Sequence, residues 1–334
     1  MQQDQRVLRF AFTVLACALL ARLLSFIAEP VAAFLSQPEN AAFLIYLESG
    51  RVVKPQISQP TQPEEELRQT QPTLQPEQTQ PTEPPKQTVF TPEDAQLVQV
   101  SNLCDYSVDA QTLLLSQLEL SVPVGEPCVL ILHSHATESY TQTAEYSYTP
   151  SAAYRTLDTG CNMIRVGEAL KTALEKRGLQ VIHDRTLHDY PSYTDAYVNS
   201  RQAAADYLRQ YPSLCLVIDL HRDASSGTNG QLNTQAQAGG KASAQLMLVV
   251  GTDANGRPHS NWEKNMTLAV KLHAQLEKQF PGICRPISLR GERFNQDLAP
   301  GALLIEVGAA GDTMEEALVA AEALAQGIAA LVGL

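Results

Sequence analysis

From Pro127 to the C-terminus, apolar runs of strand length alternate with segments of helical period, and this alternation restricts the fold more than any other feature. The run 128–135 (CVLILHSH) reads as a buried strand, 162–178 (NMIRVGEALKTALEKRG) as an amphipathic helix stopped by Gly178, and 179–185 (LQVIHDR) as the next strand. A helix over 194–209, strands over 214–221 and 245–251, a helix over 262–279, strands over 286–290 and 302–308 and a closing helix over 313–331 complete the expected order. Wholly apolar strands with helices between them imply an α/β fold, a mostly parallel sheet flanked by helices on both faces. Ligands in such sheets bind beyond the carboxyl ends of the strands, so functional residues are sought there.

The pattern does not extend over all 334 residues. Residues 7–33 are almost continuously apolar, interrupted by Arg22, and are long enough as a helix to cross a bilayer core of roughly 30 Å. Arg6 and Arg9 precede this segment and no Lys or Arg follows until Arg51, so a single-pass protein with a cytoplasmic N-terminus and an extracytoplasmic remainder is expected. A cleaved signal peptide is the rival reading, but the run is long for one and no small-x-small site follows it. Between Lys54 and Asp94 the composition turns to Pro, Gln, Thr and Glu, which cannot bury enough surface to offset the entropy of ordering. Such a segment is a semi-stiff tether of about 3.1 Å per residue. The expected division is a stub and transmembrane helix over 1–36, a linker over 37–95 and a folded catalytic domain over 96–334. Residues 97–124 read as a lead-in without a clear period.

A formal net charge of −12 excludes a domain that grips nucleic acid or anionic lipid through counterion release. Six cysteines with no Cys-x-x-Cys pair exclude a zinc ribbon or a disulfide framework, and Cys128 and Cys215 sit in apolar runs as small hydrophobes.

Three strands end in ionisable residues: His133, His135 and Glu138 after the first, Asp219, His221, Arg222 and Asp223 after another, and Glu306 in ALLIEVG. On a continuing strand His133 and His135 share a face, and Glu138 follows in the turn. Two imidazoles and a carboxylate are the mixed ligand set of catalytic zinc sites. Glu306, in an otherwise apolar strand, is the expected general base, and hydrolysis of an amide is the reaction class implied. Asp219, Arg222 and Asp223 are expected to orient His221, and His133 to support the ligand residues in the same way. Arg290, Arg293, Asn295 and Gln296 are expected to bind a substrate carboxylate and amides. His183, His188, His259 and His273 read as structural. No Gly-x-Ser-x-Gly elbow surrounds Ser134, Ser139 or Ser225, and no phosphate loop is present.

The segments LHSHATESY (132–140), VGEALKTALEKRGLQVIHDRTLHD (166–189), SYTDAY (192–197), VIDLHRDA (217–224), VVGTD with NWEKN (249–265) and RFNQDLAPGALLIEVGAAGDTMEEA (293–317) resemble the stage II sporulation protein P family. The resemblance implies a zinc-dependent N-acetylmuramoyl-L-alanine amidase of peptidoglycan with a second, endopeptidase activity, acting in forespore engulfment beside sporulation proteins D and M. It implies His135 and His221 as zinc ligands and Glu306 as the catalytic glutamate. For the third ligand it leaves Glu138, Asp158 and His133 open, with Glu138 preferred. Where that family commonly reads His-Thr-His, this chain reads His-Ser-His. The alternatives weighed are a catalytically idle murein-binding scaffold and a metal-dependent deacetylase of wall sugars.

Overall fold

The computed structural model describes residues 88–123, 125–227 and 230–334. The chain divides into two units, 1–78 and 79–334, and the described residues all belong to the second. The expected membrane segment over 7–33 and most of the expected linker lie outside the described residues. Among the described residues no helix is long and apolar enough to cross a membrane.

In chain order the strands are β1 (Val100–Asn102), β2 (Val129–Leu132), β3 (Val181–His183), β4 (Leu216–Asp223), β5 (Ser226–Gly227), β6 (Gly230–Gln231), β7 (Ala236–Ala238), β8 (Lys241–Ser243), β9 (Leu246–Gly251), β10 (Ile287–Arg290) and β11 (Ala302–Ala309). The helices are α1 (Ala110–Leu115), α2 (Met163–Glu175), α3 (Ala196–Gln210), α4 (Trp262–Gln279) and α5 (Met314–Val332). Asn162 caps α2 by accepting from the Ile164 amide, and Gly178, at φ 91°, takes the left-handed turn that releases the chain into β3. Thr313 and Glu316 form a reciprocal capping box at the start of α5.

Among the described residues seven strands form the sheet, in the order β1-β10-β9-β11-β4-β2-β3. Its pairings are parallel except at β9–β11, where Glu306 faces Met247 in antiparallel register. The direction reverses for a connectivity reason. Parallel neighbours need a crossover to carry the chain back along the sheet, usually a helix. β4 reaches β9 through the two hairpins β5–β6 and β7–β8, and β10 reaches β11 through residues 291–301, whose only helix is a three-residue 3-10 turn.

One face of the sheet packs on α2, α4 and α5 around Ile131, Ile218, Leu248 and Ile305. The other is covered by α3, over Leu130, Leu132, Val217 and Ala302, and by Phe294, over Met247, Val249 and Leu304. The functional side chains collect on this second face. The body also reaches into the stretch expected as linker: Phe90 is buried, Thr88 Oγ1 donates to Ala330 O at 2.7 Å, and Lys278 meets Asp94 at 3.0 Å. The lead-in supplies the edge strand β1, with Val100 beside Ile287.

Candidate active site

β2 ends at Leu132, and the period of two ends with it. His133 turns to the α2 side of the sheet, fully buried, with Nδ1 donating to Leu220 O at 2.9 Å and Nε2 at 2.9 Å from His183 Nε2. The backbone of α2 closes over it, since a side chain at Gly167 would collide with the His133 ring. Burial, with the His183 charge adding, pushes its pKa down to about 3, so the ring is neutral. The expectation that His133 and His135 share a face is corrected, and with both nitrogens engaged His133 does not serve as a third ligand. Asp158, the other alternative, lies on an exposed turn and caps the Gly160 amide.

His135 lies instead on the α3 side, its ring 5.4 Å from that of His221 and at 85° to it. Its Nδ1 is buried without a hydrogen-bond partner, 3.9 Å from Asp189 Oδ2. His221 Nε2 donates to Asp219 Oδ1 at 2.8 Å, and the Ser134 amide donates to the same oxygen at 2.8 Å. The His221 ring is thereby turned with Nδ1 toward Glu138 Oε2 at 3.6 Å. Although burial opposes it, Asp219 and Glu138 raise the His221 pKa well above its ordinary value.

Glu138 accepts from Arg155 Nη2 at 3.2 Å and from the Arg222 amide at 3.3 Å. Burial favours its protonated form, but His221 and Arg222 outweigh that and hold its pKa at about 2. Glu306 sits directly beside His221 in the β11–β4 register. Its Oε2 is buried and unpartnered, and burial, with Glu138 adding against the opposing His221, pushes the carboxyl up to about 8. Two neighbouring carboxyls are thus driven apart, one ionised and one holding its proton near neutral pH, as acid–base pairs at functional sites are.

Four further residues surround His135. Tyr193 stacks on it at 4.5 Å, Tyr197 meets it edge-on at 5.4 Å, and Arg155 lies 4.4 Å above Tyr193 and binds Asp189 at 2.9 Å. Sequence reasoning did not single these out. The one available signal was a pair of tyrosines four apart at a helix start, 193 and 197, which a loop delivers to the strand ends.

Arg222 ties down the Glu138 loop through Ser139 O and Tyr154 O, Asp223 turns to Arg285 at 2.7 Å, and His133 bonds Leu220 O and His183, so of the four expected orienting residues only Asp219 hydrogen-bonds the His221 ring. Arg290 bonds Ser288 Oγ at the carboxyl end of β10, which the reversal places at the other end of the sheet from that of β4. Gln296 is buried, accepting from the Gly251 amide and donating to Val249 O, both at 2.8 Å, so its amide secures the loop to β9. Asn295 donates to Tyr197 O at 2.8 Å, and Arg293 pairs with Asp297 at 3.1 Å; both line a cleft beside Tyr197. Among the described residues, no three His, Cys, Asp or Glu side chains converge closely enough to enclose a metal ion as they stand.

The sequence profile of stage II sporulation protein P (SpoIIP) matches residues 30–329. The chain belongs to that family. It is 31% identical over 210 residues to the stage II sporulation protein P of Bacillus subtilis (strain 168), a match covering 59% of this chain and 49% of that protein. The chain thus spans about half the length of that SpoIIP relative. Among solved structures it is similar to the N-acetylmuramyl-L-alanine amidase Ami1 of Mycobacterium smegmatis, with 15% identity, 64% of this chain and 99% of that one covered, and a TM-score of 0.39. It is similar too to the amidase AmiC2 of Nostoc punctiforme, with 12% identity, 62% and 97% covered and a TM-score of 0.39. For the CwlD amidase of Clostridioides difficile in complex with the GerS lipoprotein the values are 14%, 62%, 95% and 0.34.

Proposed function

We propose that this SpoIIP-family chain is a zinc-dependent peptidoglycan hydrolase that cleaves the amide between N-acetylmuramic acid and L-alanine during sporulation. The observation that carries this reading is the meeting of His135, from the turn after β2, and His221, on the adjacent parallel strand β4, beside a Glu306 carboxyl with an unpartnered oxygen. The donor chemistry fits zinc: an imidazole at His135 with a buried unpartnered nitrogen, the His221 Nδ1 and the Glu138 carboxylate are borderline-soft and hard ligands of the right number for an open catalytic site. Zinc held there supplies Lewis-acid polarisation of the scissile carbonyl and acidifies the attacking water.

The protein's own groups do the rest. Asp219 fixes the tautomer and angle of His221, His221 and Arg222 keep Glu138 ionised, and Arg155 holds its Oε1. Glu306 takes the proton of the attacking water and delivers it to the departing amine of L-alanine; a cation nearby lowers its pKa from about 8 toward the working pH. A membrane anchor over 7–33, an extracytoplasmic site, action in engulfment, an endopeptidase activity and assembly with sporulation proteins D and M belong to the same proposal.

The hold of Arg155 and Arg222 on Glu138 favours a second reading, in which that carboxylate braces the loop: a murein-binding scaffold without activity. Incubating residues 79–334 with purified peptidoglycan separates the readings. Stem peptides with a free L-alanine amino group support the amidase, retention on the wall without release supports the scaffold, and acetate release indicates a deacetylase.

A further inference from the structure

A cleft of about 520 Å³ opens beside the site, lined by Tyr197, Asn255, Arg257, Glu292, Arg293 and Phe294. Tyr197 belongs to both places. Its ring lies 6.3 Å from that of His221, nearly parallel to it, and 6.1 Å from Phe294, so one side chain stands between the His221 ring and the cleft.

The cleft is built rather than incidental. Phe294 and Asn295 are consecutive non-glycine residues with positive φ, 50° and 60°, a conformation that side chains seldom adopt and that the surroundings must enforce. Asn295 is held by Tyr197 O and Ser200 Oγ, and Gln296 by β9, which together press the Phe294 ring onto Met247, Val249 and Leu304 as the floor. On the other wall, a Cβ at Gly291 would come within 2.7 Å of Asn255 Oδ1, so the two loops touch there.

The charges of the cleft indicate what it takes. Arg293 is committed to Asp297, but Arg257 is exposed and, among the described residues, has no hydrogen-bond or ion-pair partner; nor has the Tyr197 hydroxyl. A free guanidinium fork beside an amide and a phenol matches a carboxylate. On the proposed substrate the glycan side carries N-acetyl sugars without charge, whereas the stem peptide carries free carboxylates on its second and third residues.

We infer that this cleft is the peptide side of the substrate site, and that Arg257, with Asn255 and the Tyr197 hydroxyl, receives a free carboxylate of the stem peptide. The inference rests on the amidase reading for its choice of ligand. It places the scissile bond between His221 and the mouth of the cleft, with the glycan departing on the opposite side.

The test is calorimetric titration of the full chain in detergent with the tripeptide L-alanyl-γ-D-glutamyl-diaminopimelate, its chain-terminal carboxyl blocked as a methylamide, and with the two forms in which one of the remaining carboxylates, on D-glutamate or on diaminopimelate, is amidated. Wild type is expected to bind the tripeptide at least about tenfold more tightly than one of the amidated forms, since a charge-assisted pair is lost. Arg257→Gln is expected to weaken the tripeptide by a similar factor and to bind all three alike. Equal binding of the three by wild type, no binding of any, or preference retained in Arg257→Gln overturns the inference. A parallel assay of stem-peptide release keeps the two claims apart. Binding that depends on Arg257 without release would leave the subsite standing and remove the amidase; release without that binding would do the reverse.

Discussion

Asp219 and His221, two residues apart on β4 and so on the same face, are joined by a 2.8 Å hydrogen bond from Nε2 to Oδ1. The bond leaves only Nδ1 of His221 facing Glu138, so the orientation of the ring depends on a carboxylate that the Ser134 amide and hydroxyl also hold. Asp219→Asn keeps the shape but removes the charge. Its zinc affinity, measured by competition with a chelator, is expected to fall about 10- to 100-fold with little change in melting temperature. Unchanged affinity would reduce Asp219 to a packing role.

In the metal-free protein Glu306 makes stability fall as pH rises, against the gain from the buried His133 and His183, whose folded pKa values of about 3 and about 4 lie below their ordinary 6.5. Glu306 has a folded pKa of about 8 against an ordinary 4.5, so the folded state holds a proton that the unfolded state releases between those values. Its contribution is therefore full below about 4.5 and lost as pH climbs through about 8; His221, also raised when folded, adds to the same decline from its ordinary value of 6.5 upward. Urea unfolding of chelator-treated protein at pH 5 and pH 8 reads the summed slope, and Glu306→Gln should shift it toward greater stability at pH 8 relative to pH 5. An equal slope in the variant would mean that the carboxyl is not the group responsible.

Gly301→Ala is expected to destabilise the domain by about 1–3 kcal/mol or more, because the new methyl would strike the Cys215 carbonyl, which lies in backbone and cannot swing aside. The Gly301 carbonyl also receives the Val217 amide at 2.9 Å, so a shift to relieve the collision strains the β11–β4 pairing. Chemical denaturation of the variant beside wild type measures the loss.

A domain cut at residue 96 should be less stable than one begun at 79. The shorter piece loses Phe90, which packs in the main core with Lys271 Nζ 5.5 Å from its ring, together with the Thr88 and Asp94 bonds. Burial of one such ring is worth about 1.5–3 kcal/mol, or roughly 3–12 °C in melting temperature for a domain of this size. Equal melting temperatures would show that residues 88–95 are dispensable.

Much of the fold was legible because period and length are local properties. The expected helix over 262–279 has the bounds of α4, and ALLIEVG lies within β11. Strand direction was not legible, since the apolar runs of β9 and β10 read the same in either sense and only the missing crossover helices reverse them. The β1 edge was missed because Val-Ser-Asn is short and largely exposed. At the site, His135, Glu138, His221 and Glu306 announced themselves as costly groups at apolar strand ends, and the structure brings them together. His133 shared that signature but faces away, because a strand's alternation holds only while the strand lasts. Arg155, Asp189 and Tyr193 come from loops, whose side chains meet through tertiary folding with no spacing to betray it.

The most direct test of the account measures zinc content and stem-peptide release together in wild-type residues 79–334, His135→Ala, His221→Ala and Glu306→Gln. Wild type should bind one zinc and release peptide, each histidine variant should lose the metal, and Glu306→Gln should keep the metal while its turnover falls by about 100-fold or more. A metal-free, inert wild type, or a Glu306→Gln variant of undiminished rate, would contradict it.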